Sequence, residues 1–70
     1  MNKSKLRAVV IENGETLADL AKALDMSYAN LSLKINGRRS FRQPEIQGII
    51  DHYNLNGDEA MEIFFTQGSS

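Results

Sequence analysis

The side chains with most to offer chemically gather between Lys34 and Arg42, where Lys34, Arg38, Arg39 and Arg42 are interleaved with the amide of Asn36. Ammonium and guanidinium groups in one short stretch neutralise anions and donate charge-assisted hydrogen bonds. A formal net charge of -1 and a pI near 5.7 argue against a wholesale polyanion binder. The average hides a division. Residues 1 to 42 carry all eight Lys and Arg against four acids, whereas residues 43 to 70 carry five acids and no Lys or Arg. One face of the protein is therefore expected to meet an anion that the opposite face does not. The plain alternative for the cluster is a solvated basic loop.

Catalytic and metal chemistry find little to use. His52 is the only histidine, and Cys is absent. Its neighbour Asp51 does not complete a ligand set, because adjacent residues on a helix point about 100° apart. No nucleophile, base and orienting acid can be assembled around His52, which reads as an exposed or half-packed residue on the polar side of its helix. No glycine-rich phosphate loop or nucleophile elbow is present. The expectation is a protein that is not an enzyme, with no metal and no cofactor.

The elements that must position the basic cluster follow from apolar spacing. Leu6, Val9 and Val10 share one helical face, with Gly14 as a left-handed stop, which predicts a helix over roughly Lys3 to Asn13. The β-branched run Val9-Val10-Ile11 would suit a strand, but apolar and polar residues do not alternate there. Thr16 and Asp19 form a capping-box signature ahead of the stripe Leu17, Leu20, Ala21 and Leu24. A turn at Asp25-Met26 leads to Ser27 as the cap of a third helix, whose Leu31 and Ile35 face inward and whose Tyr28 borders them. Tyr28 at its exposed edge, Ala29, Asn30, Ser32, Leu33 and Lys34 are left looking outward. Asn36-Gly37 lacks flanking strands and is a helix stop rather than a hairpin.

Phe41 is expected to plug the body beneath the arginine loop. Pro44 suits a first helical turn, and Ile46, Ile49, Ile50 and Tyr53 form the stripe of a fourth helix over about Gln43 to Tyr53. Leu55 anchors the next connection, and Asn56 caps a last short helix with Asp58 and Glu59 at its positive end. That helix carries Met61, Ile63, Phe64 and Phe65, which cannot all point one way, so it supplies either core or a protein interface. Seventy residues allow one domain, here assigned to residues 1–67, with 68–70 as a flexible tail. The sequence has no apolar run of the roughly 20 residues a membrane span needs and no signal peptide, so a cytoplasmic protein without membrane contact is expected.

The stretch from Thr16 to Gly37, TLADLAKALDMSYANLSLKING, resembles the helix-turn-helix of the lambda-repressor-like, or Xre-type, family of phage and bacterial regulators. The likeness rests on Leu20 and Ala21, on Leu24 before the turn, on Met26-Ser27 opening the second helix, on Leu31, and on the Asn36-Gly37 exit followed by basic residues. One helix before the motif and two after it make an all-α, compact five-helix lambda-repressor-like domain the implied fold. Two positions depart from the family pattern. Leu17 stands where Gln often holds a phosphate, and Asp25 stands where Gly commonly makes the turn, a place Asp tolerates through its access to the left-handed region.

The resemblance implies that Ser27, Tyr28, Ala29, Asn30, Ser32 and Leu33 lie at base edges, where hydroxyls and amides hydrogen-bond and Ala29 or Leu33 pack on thymine methyls. It further implies that Lys34, Asn36, Arg38, Arg39 and Arg42 serve the DNA backbone. The function it implies is a sequence-specific, Cro- or repressor-type transcriptional regulator from a phage or prophage genetic switch, bound to double-stranded operator DNA as a homodimer. The alternative is a modulator or antirepressor that uses the same fold in a heterocomplex with a phage repressor. Its motives are the apolar outward residues Tyr28, Ala29 and Leu33, the absent Gln at Leu17 and the acidic C-terminal half.

Overall fold

Helices this short are marginal alone, so what starts and stops each one matters as much as what it buries. The computed structural model describes residues 1–65 and contains five helices in chain order: α1 (Lys3–Glu12), α2 (Leu17–Ala23), α3 (Tyr28–Ile35), α4 (Gln43–Tyr53) and α5 (Gly57–Phe64). The proposed tail at 68–70 and the last two residues assigned to the domain lie outside the described residues.

Side chains satisfy orphan amides at the starts. Asn2 accepts from the Lys5 N–H, Ser27 from the Asn30 N–H, and Thr16 with Asp19 and Asn56 with Glu59 close full capping boxes. Each such cap contributes about 1 kcal/mol. At α4 the Glu45 carboxylate accepts from the Arg42 N–H, with Pro44 in the first turn where no amide is needed.

Four helices end in one way. Gly14, Asp25, Gly37 and Asn54 all have positive φ, and each turns the chain so that two N–H groups fold back onto the last helical carbonyls. After α3, Gly37 N–H donates to Lys34 O at 3.2 Å and Arg38 N–H to Leu33 O at 2.8 Å. After α2, Asp25 N–H donates to Lys22 O and Met26 N–H to Ala21 O. These paired bonds are the Schellman closure, which satisfies carbonyls otherwise left open. The expectation for Asp25 is met: at φ 58 it occupies the left-handed conformation a glycine would favour.

The core follows the predicted stripes. Leu6, Val9 and Val10 of α1, Leu20 and Ala21 of α2, Leu31 and Ile35 of α3, Ile49 and Tyr53 of α4 and Ile63 of α5 form one buried cluster. The β-branched run is helical, with Val9 and Val10 inside and Ile11 72% exposed, because three consecutive helical residues cannot share a face. Leu24, Met26, Phe41, Leu55 and Phe64 seal the margins. α2 packs against α3, while α1 contacts both α2 and α5. The Asn2 N–H donates to Ile63 O at 2.7 Å and ties the start of α1 to α5. α4 comes close beneath the α2–α3 turn, where a Cβ on Gly48 would stand 3.0 Å from Leu24 Cδ2. No helix among the described residues is long and apolar enough to cross a membrane.

Substitutions at two glycines separate backbone strain from packing. A Cβ at Gly37 or at Gly57 would meet nothing within 4 Å, but only Gly37 has a left-handed backbone, at φ 80. Gly37→Ala should therefore lower stability by about 1 kcal/mol, whereas Gly57→Ala should raise it by roughly 0.5 kcal/mol by restricting the unfolded chain. Urea unfolding midpoints at constant slope check both signs.

Candidate functional site

α3 is held with one side in the core and the other in solvent. Leu31 is 0% and Ile35 3% exposed, whereas Tyr28 is 56% and Leu33 36% exposed. Ser27 and Ala29 are also exposed, and Asn30 and Ser32 are half-buried. The polar groups along this edge are already ordered. Ser27 Oγ accepts from the Asn30 N–H, and Asn36 Nδ2 donates to Ser32 O at 2.9 Å and to Ser32 Oγ at 3.3 Å. Asn36 thus works as a clasp on the last turn of α3, with its Oδ1 accepting from Lys3 Nζ at 3.4 Å.

Lys34 corrects the expectation. It does not look outward: it is 7% exposed, and its Nζ lies 2.6 Å from Glu45 Oε1 and 3.4 Å from Ser40 O. The long aliphatic stem buries against the body while the ammonium meets a carboxylate from the first turn of α4. The same Glu45 oxygen accepts from the Arg42 N–H at 2.9 Å. One atom therefore joins the last turn of α3 to the first turn of α4 and fixes both ends of the intervening loop. Burial raises the Glu45 carboxyl, but the Arg42 amide and the Lys34 ammonium together outweigh it and hold the group below the ordinary range.

Arg38, Arg39 and Arg42 stand exposed on that anchored loop. Arg39 reaches back toward the helix: its N–H donates to Leu33 O at 3.2 Å and its Nη1 to Asn30 Oδ1 at 3.4 Å. Beneath the loop Phe41 is half-buried, its ring edge-to-face with Phe64 at 6.1 Å, as a plug should be. A cavity of about 630 Å³ opens beside it, lined in part by Lys3, Arg39, Phe41 and Phe64 but by none of Ala29, Ser32 or Leu33. The presented edge of α3 is thus outside that hollow.

The proposed C-terminal interface also needs correction. Ile63 is 0% exposed and belongs to the core, and Phe64 is half-buried between Phe41 and Phe65. Met61 at 59% and Phe65 at 49% remain on the surface. The reason is helical phase: only the side of α5 turned toward α1 and Phe41 can be covered.

A cluster that sequence spacing does not disclose joins the α1–α2 loop to α4. Glu15 accepts from the Tyr53 hydroxyl at 2.8 Å and lies 3.1 Å from His52 Nε2. Burial, then the bond to Glu15 and its charge, push the Tyr53 hydroxyl well above its usual range. His52 is half-packed, as expected, with its ring against Tyr53. Among the described residues no group of three or more His, Asp or Glu is placed to hold a metal ion.

This architecture defines a small all-α domain of five capped helices. More particularly, the chain belongs to the family described as "Protein of unknown function (DUF739)", which matches residues 1–67. No curated protein and no solved structure matches it.

The Lys34–Glu45 pair gives an ordered pair of outcomes. Glu45→Ala leaves a buried ammonium without its carboxylate and should cost about 3 kcal/mol, more than Lys34→Met, which keeps the apolar stem and leaves Glu45 more accessible. Because the folded Glu45 carboxyl is depressed below 4.5, its contribution is present above that pH and is lost as pH falls through the folded value. Glu45→Gln should flatten the acid limb of a stability-against-pH profile measured by urea unfolding.

Proposed function

We propose that this protein is a sequence-specific DNA-binding transcriptional regulator of Cro or repressor type, with α2 and α3 as a lambda-repressor-like helix-turn-helix and α3 in the major groove. One observation carries the reading. The exposed edge of α3 runs directly into an exposed loop bearing Arg38, Arg39 and Arg42, and Glu45 anchors both ends of that loop. An α-helix with its side chains is roughly 10–12 Å across, which a major groove about 12 Å wide admits.

In this role Arg38 and Arg42 neutralise phosphates, which supplies affinity and register without reading sequence. Ser27, Tyr28, Ala29, Ser32 and Leu33 face the base edges. Lys34 is committed to Glu45 and acts by rigidifying the loop rather than by touching DNA. A homodimer on a two-fold operator would place half-sites about 10 base pairs apart.

A second reading is favoured by a separate observation. Tyr28 and Leu33 on α3, with Met61 and Phe65 on α5, are large apolar side chains left on the surface. A modulator or antirepressor would use such side chains to engage a partner repressor, and fold alone does not choose between the two roles. Size-exclusion chromatography of the protein mixed with the larger repressor of the same genetic element separates them. A heterocomplex that displaces DNA supports the modulator, and its absence removes that reading.

Titration of fluorescent duplex DNA at several salt concentrations tests the first reading. Arg38→Ala should weaken binding to all sequences alike and lower the salt slope by about one unit. Ser32→Ala should instead change which base is preferred at one position. No salt-sensitive binding at micromolar protein would overturn the assignment.

A further inference from the structure

Arg39 is set apart by where its guanidinium goes. The Schellman closure after α3 folds residues 37 to 39 back along the helix, with the N–H groups of both Arg38 and Arg39 on Leu33 O. From there Arg39 Nη1 donates to the side-chain oxygen of Asn30, nine residues earlier, at 3.4 Å. Asn30 is itself held, since its N–H caps on Ser27 Oγ. The guanidinium is thereby stationed at the exposed edge of α3.

The bond changes what both side chains can read. An Asn pairs with adenine by donating from its Nδ2 and accepting at its Oδ1 at the same time. Here one of the two lone pairs of Oδ1 is taken by Arg39, so an adenine would have to share that oxygen with the guanidinium. The guanidinium has five N–H groups and spends one of them on Asn30. The guanidinium presents donors alone, and the base edge that presents acceptors alone in the major groove is guanine, through O6 and N7. Resting on the DNA-binding role proposed above, we infer that Arg39 reads a guanine of the half-site and that Asn30 is the residue that positions it. Arg39 then belongs with the base-reading residues rather than with the phosphate-binding ones, and Asn30 serves it as a positioning residue.

The test begins with selection from a pool of short duplexes with randomised centres, using the full chain. The selected duplex should contain a guanine whose replacement by 7-deazaguanine, which lacks the N7 acceptor, weakens binding about 10-fold. That penalty should vanish in Arg39→Ala. Arg39→Lys should keep the salt slope while losing guanine discrimination, because it retains the charge but not the planar fork. Asn30→Ala should shrink the penalty without changing the salt slope, and Asn30→Asp, which keeps the acceptor, should restore it. Circular dichroism confirms that these surface variants stay folded. An equal penalty in wild type and Arg39→Ala, or a selected site with no guanine requirement, overturns the inference and leaves DNA binding intact. Selection of no duplex over bulk DNA removes both.

Discussion

The carboxylate of Glu45 is the point on which the presented surface depends. Its Oε1 takes the Lys34 ammonium from the end of α3 and the Arg42 amide from the start of α4. Without that junction, three arginines would hang on a loop that has lost the one contact shared by its two ends. A buried ion pair adds little net stability, because desolvation consumes much of the attraction. Its value here is geometric. It removes freedom from a segment that carries charge at the surface, and a cation whose position is fixed loses less entropy when it meets its anion.

The same economy governs the helices. α2 has 7 residues and α3 has 8, too few to be stable in isolation. Their persistence rests on satisfied ends: a side-chain cap in front, a left-handed residue with two returning amides behind, and one apolar face in a shared core. The α2–α3 turn illustrates the trade. Asp25 accepts a left-handed backbone that glycine would take more easily, and Gly48 on α4 leaves room for Leu24 beneath it. Precision in that turn sets the angle at which α3 is offered to solvent, and therefore which of its residues a partner can reach.

Much of this was legible residue by residue. The apolar spacings of Leu6, Val9 and Val10, of Leu20 and Ala21, and of Ile49 and Tyr53 name the core. Thr16, Ser27 and Asn56 name the helix starts, because a cap is a contact between residues three apart. Gly14 and Gly37 name two of the helix ends for the same local reason. The exposure of Tyr28, Leu33, Arg38, Arg39 and Arg42 followed from those assignments. The departures are equally particular. Lys34 reads as a surface cation because lysine is seldom buried without a partner, which the sequence does not show, and Ile63 reads as available because α5 is short and apolar on more than one side.

By itself, then, the sequence determined whatever is settled within about one helical turn: which segments are helical, where they begin, and which residue of each turn faces inward. Tertiary structure alone decided the rest. The partners of Lys34, Glu15 and Asn30 lie 11, 38 and 9 residues away along the chain, across turns whose geometry no periodicity encodes. A buried charge is tolerated only where packing brings its counter-charge to it, so the fate of Lys34 depended on where α4 came to rest.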